Sequence, residues 1–268
     1  MDDVFCLPGT LNPEDVSGKI VVCIRGENSK VEISLGVKEA VAAFSSRGPN
    51  TRTPEILKPD VLAPGVNILA AWTGAAGPTG LGEDKRRISF NIKSGTSMSC
   101  PHVSGLAALI KSMQKWSPAA IRSALMTTAY YTYKNGKTIQ DIVTRTPATP
   151  FDYGAGHVDR VAALDPGLVY DITVEDYIRF LCASNYTKEQ IKTVTKRNFN
   201  CNNGKKKYSV GDLNDLSFAV PLKAASDEDG GTNRSTTVTY TRTLTNVGTS
   251  PARYRVKVSK VDAVKISV

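Results

Sequence analysis

The chemistry in this 268-residue chain centres on one short stretch, Ser94-Gly95-Thr96-Ser97-Met98-Ser99-Cys100-Pro101-His102. An alternating strand pattern precedes it and a helical one follows. A serine at such a strand, glycine turn and helix junction has its hydroxyl exposed by the turn, and the helix start offers backbone N–H groups and a positive dipole to an oxyanion. That is the layout of a nucleophilic serine, although Ser97 as a plain N-cap satisfies the same geometry. Cys100, His102, His157 and Lys93 are the other groups with useful chemistry nearby or in turns. On an ideal helix His102 lies about 7.5 Å along the axis from Ser97 and is turned by roughly 140°, so its ring is aimed away from the hydroxyl. A satisfied, partly buried histidine is the reading for both His102 and His157. Lys93 has no direction that sequence can assign, and Cys100 has no visible base. Gly95-Thr96-Ser97-Met98-Ser99 also lacks the second glycine of the G-x-S-x-G elbow, which argues against an α/β-hydrolase.

The elements that hold this stretch can be read from periodicity. Val41 to Phe44 predicts an apolar strand, and Asn67-Ile68-Leu69-Ala70-Ala71-Trp72 a short buried one. Ile88, Phe90 and Ile92 alternate with polar residues, a period of two. Val103, Leu106, Ala107 and Ile110 recur at helical spacing, with Pro101 expected in the first turn, where a missing N–H costs little. Ser117 followed by Pro118 predicts an N-cap and an N1 proline for a second helix to about Ala129, packed beside the first. Ser17 to Arg25 reads as a buried strand, and Val174 to Ala183 as a helix. From Thr236 onward threonine and valine alternate, and Tyr254, Val256 and Val258 alternate with basic residues, the pattern of an antiparallel sandwich.

Composition limits the function classes. The chain carries 34 basic and 25 acidic residues, a net charge of +9, scattered apart from Lys205-Lys206-Lys207, which reads as a solvated loop. No nucleic-acid motif accompanies it. No apolar run approaches the ~18 residues of a membrane span. The first residues, Met1-Asp2-Asp3-Val4, are acidic where a signal peptide is basic, so nothing in them directs secretion. Five cysteines without C-x-x-C or flanking histidines suit neither zinc nor a redox pair. Cys6 with Cys23 and Cys182 with Cys201 suit two local disulfides that leave Cys100 free; five reduced thiols are the alternative. The sequons at Asn185 and Asn233 fit a glycosylating compartment, although such triplets also occur by chance.

The wording of Ser94 to Gly105 resembles, almost letter for letter, the catalytic-serine segment of the plant subtilisin-like serine proteases (subtilases, cucumisin-like, peptidase family S8). The likeness extends back through Ala42-Ala43-Phe44-Ser45-Ser46-Arg47-Gly48-Pro49-Asn50 and Lys58-Pro59-Asp60-Val61-Leu62-Ala63-Pro64-Gly65. It extends forward through Trp116 to Ala129, Gly154-Ala155-Gly156-His157-Val158 and Asp165 to Asp171. Thr241 to Gly248 is similar to the start of the family's fibronectin-III-like domain, and Ser17 to Cys23 to part of its protease-associated domain.

The resemblance implies an α/β fold: a partial subtilisin-like parallel sheet with packed helices, followed by an incomplete fibronectin-III-like β-sandwich. It divides the chain into a protease-associated remnant (1–40), the carboxy-terminal part of the catalytic domain (41–172), a connector (173–212) and a truncated fibronectin-III-like domain (213–268). It implies a Ser-His-Asp triad in which Ser97 is nucleophile and backbone oxyanion donor, with Gly95 and Thr96 on the substrate side. Protein or peptide substrates, no cofactor, no metal and a secreted location in cell wall or apoplast follow from it, and the oligomeric state does not. The family's triad Asp and His and its oxyanion Asn lie upstream of the protease-associated insertion, and neither Asp-Thr-Gly nor His-Gly-Thr-His occurs here. The expectation is therefore an endopeptidase segment cut at head, middle and tail and inactive by itself. The alternative is a non-catalytic, subtilase-derived binding or interaction glycoprotein.

Overall fold

The computed structural model describes residues 40–133, 136–201, 208–221, 237–259, 261 and 264–268. The strand expected at 17–25, Cys6, Cys23, Asn233 and the lysine triplet lie outside these residues. In chain order the elements are β1 (Ala40–Val41), β2 (Ile68–Ala71), β3 (Phe90–Lys93), α1 (Thr96–Gln114), α2 (Pro118–Thr127), β4 (Gln140–Asp141), α3 (Pro150–Tyr153), β5 (Leu168–Val169), α4 (Val174–Ala183), α5 (Lys188–Thr195) and β6 (Thr245–Asn246). Single 3₁₀ turns fall at Ala162–Leu164 and Val210–Asp212.

Helix α2 is the most buried helix among the described residues. Its start follows the sequence: Ser117 Oγ accepts from the Ala120 N–H at 3.0 Å, and Pro118 occupies the first turn, where its missing donor costs nothing. The three apolar clusters among the described residues all touch it. Ala119 packs with Ile56, Ile172 and Leu213; Ile121 and Leu125 pack with Ile110 of α1 and Ala163; Ala120 and Ala124 pack with Val169. Helix α4 covers the span expected of it, closed by a capping box between Thr173 and Asp176.

The subtilisin-like organisation is mixed helix and strand, and its parallel part is slight among the described residues. It consists of the β1–β4 pair, Ala40 opposite Gln140 and Val41 opposite Asp141, and a parallel bridge between Leu62 and His157. The strand expected over 41–44 shortens accordingly to Ala40–Val41. β2 and β3 form an antiparallel hairpin with Leu69 opposite Ile92 and Ala71 opposite Phe90. The expectation that this strand is buried is corrected: Leu69, Phe90 and Ile92 are all more than half exposed, because nothing among the described residues packs on that face. In the carboxy-terminal part, the described ladders are β6, which pairs antiparallel with β5 of the preceding region, and a bridge between Val261 and Val264. The alternation at Tyr254, Val256 and Val258 forms no ladder among the described residues. A period of two becomes a strand only where a neighbour accepts its hydrogen bonds.

Candidate active site

The turn that presents Ser97 is held from below by a second loop. Asn67 N–H donates to Ser94 Oγ at 2.8 Å, Gly95 N–H to the Gly65 carbonyl at 2.8 Å, and Ser99 Oγ to the Ala63 carbonyl at 3.0 Å. Gly65 is buried in this contact, and a Cβ there would collide with Ser99 Oγ, so only glycine permits the approach. The helix cap is Gly95, with no side-chain bond, which excludes Ser97 as N-cap. Ser97 is the second helical residue, exposed, and its amide belongs to the first turn, where no carbonyl lies one turn back. Gly95 is half-buried and Thr96 is exposed. Beside them runs an open groove of about 510 Å³ lined by Ala63, Gly65, Thr96, Ser99, Cys100 and Val103 among others.

Pro101 falls in the second turn of α1, not the first, where its ring removes the donor that would reach back to the Ser97 carbonyl. The backbone around the candidate nucleophile is therefore less tied to its helix than a regular turn.

The other candidates are directed elsewhere. His102 is exposed rather than partly buried, and its Nδ1 faces the Met98 carbonyl at 2.7 Å; since a carbonyl only accepts, that nitrogen carries the proton. His157 is half-buried, with Nδ1 toward the Val158 carbonyl at 3.1 Å and its ring 5.3 Å from that of Tyr130. Its backbone exchanges both hydrogen bonds with Tyr130. Neither ring is hydrogen bonded to Ser97. Lys93, whose direction the sequence leaves open, donates to the Pro78 carbonyl at 3.3 Å and lies over the Trp72 ring at 4.5 Å. Cys100 is exposed, its Sγ 4.0 Å from Ser104 Oγ. Away from the site, Cys182 and Cys201 are joined in a disulfide, with Asn185 exposed three residues beyond Cys182.

Sequence reasoning passed over one group of side chains. Asp60, Arg122 and Asp215 meet in a single ion-pair cluster although they come from a loop, α2 and the carboxy-terminal region. Asp60 and Arg122 are 62 residues apart, so no local pattern announces the contact.

A glycine-anchored serine at the start of a long helix, beside an open groove, has the exposure that nucleophilic chemistry needs, and comparison with known proteins gives the family. Residues 25–156 match the profile of the subtilase family, and residues 212–268 that of a fibronectin type-III domain. The chain belongs to the subtilase family. It is 50% identical to the Arabidopsis thaliana subtilisin-like protease SBT1.7 over 98% of its own length and 42% of that protein's, and 52% identical to SBT1.5 over 84% and 28%. The chain thus spans less than half the length of the curated relatives it matches. The first alignment runs over 331 positions against 268 residues here, so at least 63 positions of that relative face no residue of this chain. Fervidolysin from Fervidobacterium pennivorans, a keratinolytic enzyme related to subtilisin, is 28% identical over 38% of this chain and 14% of its own, with a TM-score of 0.27.

Proposed function

We propose that Ser97 is the nucleophile of a subtilisin-like serine endopeptidase site acting on protein or peptide substrates. The observation that carries this reading is the exposed Ser97 hydroxyl in the first turn of α1, on a turn braced by Gly65 and Ser99. Ser97 Oγ bonds to the peptide carbonyl carbon while its proton passes to a general base; the leaving amine takes that proton, and water then cleaves the acyl-enzyme. The Ser97 N–H faces the oxyanion, with Gly95 and Thr96 on the substrate side. Neither His102 nor His157 is assigned as the base, because neither ring is hydrogen bonded to Ser97. Loss of triad members in a subtilisin site lowers kcat by roughly four to six powers of ten, so by itself this chain is an inactive endopeptidase segment.

The same reading takes 1–40 as protease-associated remnant, 41–172 as catalytic, 173–212 as connector and 213–268 as fibronectin-III-like. The Cys182–Cys201 disulfide and the exposed sequon at Asn185 support passage through an oxidising, glycosylating compartment and a secreted location.

A fluorophosphonate probe with mass mapping tests the assignment. The expected result is no labelling of this chain alone, and labelling at Ser97 of a chain extended upstream by a subtilase segment carrying Asp-Thr-Gly and His-Gly-Thr-His. Ser97→Ala abolishes that labelling and peptide hydrolysis together. Hydrolysis that persists in Ser97→Ala overturns the reading. That neither histidine is hydrogen bonded to Ser97 favours a second reading, a non-catalytic binding glycoprotein, which predicts no labelling of either form and a fold resistant to mild proteolysis.

A further inference from the structure

The loop that braces the Ser97 turn is itself anchored by residues distant in sequence. Arg122 of α2 forks onto Asp60, Nε to Oδ2 at 3.1 Å and Nη2 to Oδ1 at 2.9 Å, and the same Nη2 lies 2.9 Å from Asp215 Oδ1. Lys58 Nζ adds a bond to Asp60 Oδ1 at 2.8 Å. Asp215 is 3% exposed, and its other oxygen accepts from Ser217 Oγ at 2.7 Å, which in turn accepts from the Leu57 N–H at 3.3 Å.

The backbone under Asp215 is pinned as well. The Arg242 guanidinium donates to the carbonyls of Asp215 at 2.6 Å, Gly211 at 2.9 Å and Ser217 at 3.1 Å, and lies 4.8 Å over the Phe218 ring. From Asp60 the chain runs only five residues to Gly65. Within them Asp60 O accepts from Ala155 N–H, Ala63 O from Ser99 Oγ, and Gly65 O from Gly95 N–H. Pro59 and Pro64 fix φ near each end. A buried carboxylate with one guanidinium partner is a demanding contact, since moving either partner leaves charge unpaired in a poorly solvated place.

We propose that Asp215 is a positioning residue for the nucleophile turn: through Arg122 and Asp60 it holds the 60–65 loop on which Gly95, Ser99 and hence Ser97 rest. The carboxy-terminal region is then a part of the active-site scaffold. The functional meaning rests on Ser97 being the nucleophile, but the mechanical link does not, and the test reads the link directly.

Hydrogen exchange on the full 268-residue chain, followed by mass spectrometry, compares the unaltered protein with Asp215→Asn. The expected result is exchange about tenfold faster in peptides covering 60–65 and 94–100, with α4 and α5 unchanged. Acceleration confined to 208–218, or equal acceleration throughout, overturns the proposal. Should Asp215→Asn not fold, Ser217→Ala, which removes only the hydroxyl that aligns the carboxylate, is read in the same way with a smaller expected change. Failure of Ser97 to react with the fluorophosphonate bears on the endopeptidase reading and leaves these exchange rates as they are.

Discussion

Helices α1 and α2 follow one another in sequence and share a contact, yet their surroundings are opposite. Seven of the ten residues of α2 are buried, whereas in the nineteen of α1 the buried one is Ile110. Helix α2 contributes to three apolar clusters among the described residues and carries an arginine held by carboxylates from two other regions. The other face of α1 carries Leu109 at 47% and Met113 at 58% exposure, one turn apart. One helix is the spine of the described structure, and the other presents the candidate catalytic turn from an incompletely covered flank. Stability and the candidate chemistry thus reside on different helices, joined by the 60–65 loop.

The sharpest way to break this contrast is to remove matched side chains. Leu125 is 4% exposed within the cluster of Ile110, Ile121 and Ala163, so Leu125→Ala leaves a cavity and is expected to cost about 3 kcal/mol in urea unfolding. A loss below about 1 kcal/mol would show that α2 is not the spine.

Acid tests the charged side of α2, at Arg122, with a smaller effect. Burial pushes the Asp60 carboxyl up, but hydrogen bonds and charge from Arg122, aided by Lys58, outweigh it and hold the group below the ordinary carboxylate range. The folded state therefore binds this proton less readily than the unfolded state does. Its contribution is complete above the ordinary pKa of about 4 and disappears as pH falls through the depressed folded value. The urea midpoint is expected to fall as the pH is lowered below about 5, and less steeply in Asp60→Asn; an identical fall in both proteins would remove Asp60 from the argument.

The smallest effect belongs to the open flank. Leu109→Ala is expected to change stability by less than about 0.5 kcal/mol, because the side chain is half in water already. A cost like that of Leu125→Ala would mean that this face is covered in solution, and light scattering on the same sample would show by what mass.

Much of this contrast was written in local pattern. The Ser117 cap and Pro118 announce α2, the boundaries of α4 can be read residue by residue, and the family wording around Ser97 marks the turn before any geometry is seen. These features depend on hydrogen bonds and dihedral preferences spanning three or four residues, which sequence displays directly. Periodicity also found the helical face of α1 that contains Ile110. It could not tell whether the β2–β3 alternation had anything to pack against, and the outward Leu69, Phe90 and Ile92 show that among the described residues it has not.

The tertiary structure decided which polar groups meet. His102 and Lys93 are both near Ser97 in sequence, yet one turns to the Met98 carbonyl and the other to Pro78 and Trp72. Asp60, Arg122 and Asp215 are distant in sequence and share one guanidinium nitrogen. The sequence by itself determined the family, the capped helices and the position of the candidate nucleophile, because each is carried by contiguous residues. Only the fold decided which apolar faces are covered and what braces the Ser97 turn, because burial and long-range ion pairs depend on which segments the whole chain brings together.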